Sequence, residues 1–81
     1  LTANQRRILS KFLQNKGDLN QAAQVLKPLL ETKKVSVLDY YNYASLISDN
    51  KKLSDEYIEK ATDLKIESNF KKNLKAINNS Y

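Results

Sequence analysis

The sequence predicts an all-α fold of five antiparallel helices stacked in order. Three observations carry this. Gly and Pro occur once each in 81 residues, too few for a turn-rich β protein. Apolar residues recur at i, i+3 and i+4 along most of the chain. The pattern also repeats with a 34-residue step: Thr2 and Gln5 echo Ser36 and Asp39, Leu9 echoes Tyr43, Ser10 echoes Ala44, and Leu13 echoes Ile47. A further step pairs Leu74 with Tyr40 and Ile77 with Tyr43.

The first helix runs from a Thr2 cap to about Gln14, with Ile8, Leu9, Phe12 and Leu13 inward. Arg6, Arg7 and Lys11 lie off that face. Gly17 ends it, free to take the left-handed conformation that closes a helix. Asp18 and Gln21 form the start signal of the second helix, whose apolar face holds Leu19, Ala22, Ala23, Leu26, Leu29 and Leu30. Pro28 interrupts it. Either the helix kinks and continues to about Thr32, or it breaks at Lys27. The unbroken apolar spacing favours the kink.

The third helix carries the clearest start signal. Ser36 and Asp39 have capping-box spacing, and Val35 precedes them where a hydrophobic staple would pack on Tyr40. Tyr40, Tyr43, Ala44 and Ile47 make its inner face, to about Ser48, and Tyr41 points elsewhere. After a turn at Asp49 and Asn50, a fourth helix covers about Lys52 to Lys65, with Leu53, Tyr57, Ile58, Ala61 and Leu64 inward. Glu56 and Lys60 are spaced for a surface ion pair. A joint at Glu67 to Asn69 leads to a fifth helix, in which Phe70, Leu74 and Ile77 would cap the stack. The expected division is one domain of three parts: 1–34, 35–66 and a capping segment 67–81. Without an initial Met, it reads as a piece of a longer protein.

Composition narrows the chemistry. There is no Cys and no His, which removes thiol chemistry, the commonest general base and the commonest metal ligands. No cofactor is expected. Asp55, Glu56, Glu59 and Asp63 lie on one helix without a nucleophile beside them, so no enzyme is expected either. No apolar run approaches the roughly 18 residues of a membrane span. The lysines of the last helix, Lys71, Lys72 and Lys75, suit water better than a membrane surface, because its short apolar stripe is needed for capping. The cytoplasm is favoured only weakly, since a targeting segment lost from a longer protein would leave the same residues.

The net charge of +5 is unevenly spread. Residues 1–34 hold seven Lys/Arg against two acids, while residues 35–66 hold four against six. A basic end favours acidic partners.

Gly17-Asp18-Leu19 followed by Ala22, Leu26 and Leu29 is similar to the turn and second helix of the tetratricopeptide repeat. Tyr40, Tyr43, Ala44 and Ile47 resemble that family's aromatic, apolar, small, large series, and Tyr57 to Leu64 resembles the end of its second helix. Arg6 stands where the family has an aromatic, and the second hairpin turn lacks Gly. Ala22 echoes Ser54 if two residues are dropped; ungapped, Ala23 pairs with Tyr57, and both registers remain open.

The resemblance implies a right-handed α-α superhelix and a scaffold or adaptor that binds a peptide or partner protein on a concave face. It implies Asn4, Arg7, Lys11 and Gln14 as groove residues in the first repeat and Tyr41, Asn42 and Ser45 in the second. The family's carboxylate clamp has Lys, Asn and Asn at the positions of Arg7, Lys11 and Asn42. Arg7 and Asn42 fit it and Lys11 does not.

The alternative is nucleic-acid binding. Gln5 to Leu9 followed by Asp18 to Leu26 resembles the opening of a helix-turn-helix domain. The segment from Lys27 to Val35 is too long for that motif's turn, and the third helix offers no Lys or Arg to phosphates.

Overall fold

The computed structural model describes residues 1–79. It is all-helical among these residues, with four helices: α1 (Ala3–Asn15), α2 (Leu19–Leu30), α3 (Val37–Leu46) and α4 (Lys51–Asn79). Each helix packs on the next, α1 on α2, α2 on α3 and α3 on α4.

The start signals form as the spacing predicts. In α1, the Thr2 hydroxyl accepts from the Gln5 N–H at 3.1 Å, and the Gln5 side chain accepts from the Thr2 N–H at 2.9 Å. In α3, Ser36 and Asp39 make the same reciprocal pair at 3.2 and 2.8 Å. These contacts satisfy donors that a helix start leaves unpaired. Gly17 adopts φ +84°, and the chain closes α1 with Gly17 N–H to Gln14 C=O and Asp18 N–H to Leu13 C=O. That double bond is the Schellman ending, which requires the left-handed residue. Asp18 and Asn50 cap α2 and α4 through their side chains.

α2 runs through Pro28 without a break and stops at Leu30, two residues short of the expected end. Pro28 is exposed, so its ring is turned away from the core. The core gathers Ala22, Ala23, Leu26, Leu29 and Leu30 from α2 with Tyr43 and Leu46 from α3. Tyr43 meets Tyr57 of α4 edge-on, with ring centroids 4.6 Å apart, and half-buried Tyr40 lies 6.3 Å from the same ring. Tyr41 is exposed, as its phase on the helix requires.

Two hairpins share one crossing device. The Ser10 hydroxyl of α1 donates to the Ala22 carbonyl of α2 at 2.8 Å. The Ser54 hydroxyl of α4 donates to the Ala44 carbonyl of α3, also at 2.8 Å. All four residues are buried. Small side chains let the backbones approach, and the hydroxyl feeds a carbonyl already inside a helix. The serine has changed sides between hairpins, but the pairing equates Ala22 with Ser54.

Several expectations need correction, among them Leu19 of α2, expected inward but 45% exposed. There are four helices, not five, because α4 runs straight through the expected joint at Glu67 to Asn69. That stretch holds neither Gly nor Pro, and Glu67 pairs with Lys71 across it at 3.0 Å. Residues 67–79 accordingly do not fold back as a cap; every residue from Lys65 to Asn78 is exposed, while Ser80 and Tyr81 of that segment lie outside the described residues. The arm makes the molecule long, 52 × 28 × 19 Å, rather than a superhelical stack of five helices.

Second, the inner face of α1 is narrower than its sequence suggests. Leu9 and Leu13 are half-buried, whereas Ile8 and Phe12 are 71% and 56% exposed. α1 packs broadly on α2 alone and meets α3 through Arg7, so only one stripe of it is covered. Third, Ile58 of α4 is exposed, and Ser54 takes the inward position instead. The ion pair expected between Glu56 and Lys60 gives way to a stacking contact, with the Lys60 ammonium 5.6 Å from the Tyr57 ring centroid.

Ala44 sits 2% exposed at the α3–α4 crossing. Ala44→Leu should therefore overpack it and cost roughly 1–3 kcal/mol. Chemical denaturation with an unchanged midpoint would show that the crossing tolerates the extra volume.

Candidate functional site

Four of the seven groove residues line one shallow groove: Arg7, Lys11 and Gln14 from α1 and Asn42 from α3. Ser10, Leu26 and Leu46 form its floor. Tyr41 and Ser45 are exposed but do not line it, and Asn4 sits one turn before Arg7 on α1. The enclosed space is only 30 Å³. That holds about one water or methyl group, far below the several hundred Å³ of a small-molecule site. The groove has no room for a small molecule to enter.

Arg7 has a different place from the one its sequence position suggests. Its Nε and Nη2 donate to the two carboxylate oxygens of Asp39 at 2.9 and 2.8 Å. Nη2 also donates to the Lys34 carbonyl at 2.8 Å, and Nη1 to the Asn4 side-chain oxygen at 2.9 Å. Four of the five guanidinium N–H donors are used inside the fold, one of them on the Asn4 oxygen. Asp39 is 2% exposed and accepts from the Ser36 N–H as well.

Burial pushes the Asp39 carboxyl up, but hydrogen bonds from Arg7 and Ser36 outweigh it and hold the pKa below the usual carboxylate value. The same bond to Asp39 raises the Arg7 pKa against the opposing effect of burial. In the second hairpin, burial raises the Tyr43 phenol, with Tyr57 adding to it.

Lys11 is the groove cation left over. Among the described residues, no carboxylate lies within ion-pair distance of its ammonium. Gln14 and Asn42 each add an amide with both donor and acceptor capacity. Together they place one cation and two amides along one groove.

A larger cleft of 460 Å³ opens where the start of α1 meets the end of α2, lined among others by Arg6, Pro28, Leu29, Lys33 and Lys34. The Arg6 guanidinium donates to the Val25 carbonyl at 3.1 Å there. In the sequence, Glu31 to Lys34 reads only as a connector, since nothing along the chain shows that it faces the start of α1. No group of acidic residues is arranged to hold a metal ion among the described residues, and no helix there is long and apolar enough to cross a membrane.

Asp39→Asn should cost roughly 2–4 kcal/mol, less than a wholly buried pair, because a third of the Arg7 side chain stays in water. The sign in pH follows from the lowered pKa. The carboxylate's contribution is complete above its unfolded-state pKa of about 3.9 and disappears as pH falls through the lower folded-state value. Denaturation midpoints measured from neutral pH into acid should fall for the wild type and flatten for Asp39→Asn. Parallel acid limbs would remove Asp39 as the sensor.

Compared with protein-family models, curated proteins and solved structures, the chain matches none.

Proposed function

We propose that the chain is a non-enzymatic interaction module that binds an acidic peptide segment of a partner protein along the α1–α3 groove. One observation carries this reading: an uncompensated Lys11 stands with the amides of Gln14 and Asn42 around a groove floored by Leu26 and Leu46. An ammonium with adjacent amides engages a carboxylate side chain and the peptide backbone beside it. The apolar floor takes a small side chain between them.

In this reading the two hairpins are degenerate tetratricopeptide-like units. Support comes from the equivalent capping boxes at Thr2 and Ser36 and the equivalent serine crossings. Arg7 is then a structural member of the groove wall. Its charge is spent on Asp39, so recognition falls to Lys11, Gln14 and Asn42, with Tyr41 and Ser45 on the neighbouring exposed surface of α3.

Peptides selected by display against the wild-type protein should be enriched in Asp and Glu. Lys11→Glu should weaken their binding about tenfold or more by anisotropy, because a charge-assisted contact becomes a repulsion. The unfolding midpoint should stay the same, since Lys11 is exposed. Equal affinity for wild type, Lys11→Glu and Asn42→Ala would discard the groove. Preference for random duplex DNA, with steep salt dependence, would replace the peptide reading with the nucleic-acid one.

A further inference from the structure

Two residues that the repeat does not explain meet in one place. Arg6 is the counterpart of Tyr40 at the 34-residue step, yet it is a cation. Pro28 stands inside a helix, where proline is disfavoured. Both line the 460 Å³ cleft between the start of α1 and the end of α2. Neither lines the α1–α3 groove.

The cleft has the size of a small-molecule site, for which about 300–1,000 Å³ is usual. Its charge has one sign. Arg6, Lys33 and Lys34 line it, and among the described residues no carboxylate does. Glu31 is near in the sequence but forms no part of the lining. None of the three cations lies within ion-pair distance of a described carboxylate.

The cations are also held in place. Arg6 is half-buried, and one of its five N–H donors goes to the Val25 carbonyl. The described residues accept from none of the others. In the loop that carries the lysines, the Thr32 hydroxyl donates to the Leu29 carbonyl at 2.8 Å and accepts from the Lys34 N–H at 3.3 Å. The Lys34 carbonyl accepts from Arg7 at 2.8 Å. A backbone fixed in this way presents its charges with less ordering left to do on binding.

The rest of the wall is aliphatic, from Ala3, Pro28 and Leu29. Among the described residues no aromatic ring lines the cleft, so it offers no stacking platform for a nucleobase.

We propose that this cleft binds a phosphate monoester carried on a compact aliphatic body. Three uncompensated cations suit a dianion better than a single carboxylate, and a guanidinium meets two phosphate oxygens with paired donors. The aliphatic wall takes the carbons next to the ester oxygen. Inorganic phosphate would leave that wall unused. A free alkyl phosphate and the headgroup of phosphatidic acid share this chemistry.

n-Hexyl phosphate is the probe. Titrated into isotope-labelled protein, it should shift the amide resonances of Ala3, Leu29 and Lys34, with a dissociation constant on the order of a millimolar. Inorganic phosphate lacks the chain and hexanoate carries less charge, so each should bind at least about fivefold more weakly. Pro28→Glu replaces a helix breaker with a helix former and puts a carboxylate into the wall. It should abolish binding without lowering the unfolding midpoint. Lys33→Gln combined with Lys34→Gln should weaken binding about tenfold with the fold intact, since both residues are exposed. Lys11→Glu should bind the probe as the wild type does, which separates this cleft from the peptide groove. Phosphatidylcholine vesicles with and without phosphatidic acid distinguish the two sources. Sedimentation of the wild type, and not of Pro28→Glu, with the phosphatidic acid vesicles assigns the cleft to a lipid headgroup. Binding of hexyl phosphate with no such sedimentation assigns it to a soluble ester. Hexyl phosphate that binds no tighter than inorganic phosphate overturns the proposal. So does equal binding by Pro28→Glu and the wild type, and so do shifts centred on Lys11 and Asn42.

Discussion

A single buried carboxylate ties the two hairpins together. Asp39 closes the capping box of α3, and the same two oxygens receive the bidentate Arg7 of α1. Arg7 in turn fastens the connector before α3 through the Lys34 carbonyl. Taking a carboxylate out of water costs several kcal/mol unless it is fully hydrogen-bonded. Here the bonds come from α1 and from the residue that precedes α3, so the burial is tolerated only in this one arrangement. The pair therefore fixes how α1 stands relative to α3, and with that the width of the groove between them. The apolar core alone would specify this less sharply, since Leu and Ala surfaces slide more easily than a two-pronged ion pair does.

Local signals in the sequence translated well. Both capping boxes, the Gly17 ending and the small residues at the crossings are short-range patterns, and each has a mechanical reason to lie where it does. Arg7 was legible only as a surface cation. Its partner lies two helices away, and nothing in one dimension connects a charged residue on one helix with the cap of another. The seven groove residues came from a repeat pattern that assigns faces by phase. Phase brought Lys11, Gln14 and Asn42 to one groove, but it says nothing about which charges are already spent.

The straight course of α4 shows the opposite failure. The 34-residue period demanded a turn near Ser68, while the residues there include no helix breaker. Local propensity and the Glu67–Lys71 pair prevailed over the period. Likewise Ile8, Phe12 and Ile58 have the spacing of core residues but no neighbour on their side. Periodicity reveals that a face is apolar; whether another element covers it depends on the tertiary arrangement.

The double use of Asp39 couples two events that are separate in most helical proteins. When the hairpins part, the Asp39 carboxylate keeps its capping bond to Ser36 but loses the Arg7 guanidinium that holds it in place, so the first turn of α3 is less firmly pinned. Amide hydrogens at the start of α3 would then exchange more readily once α1 separates from α3, which links their protection to the interface. The molecule gains cooperativity from a junction of very few atoms, and the hairpins lack the independence that stacked repeats usually keep.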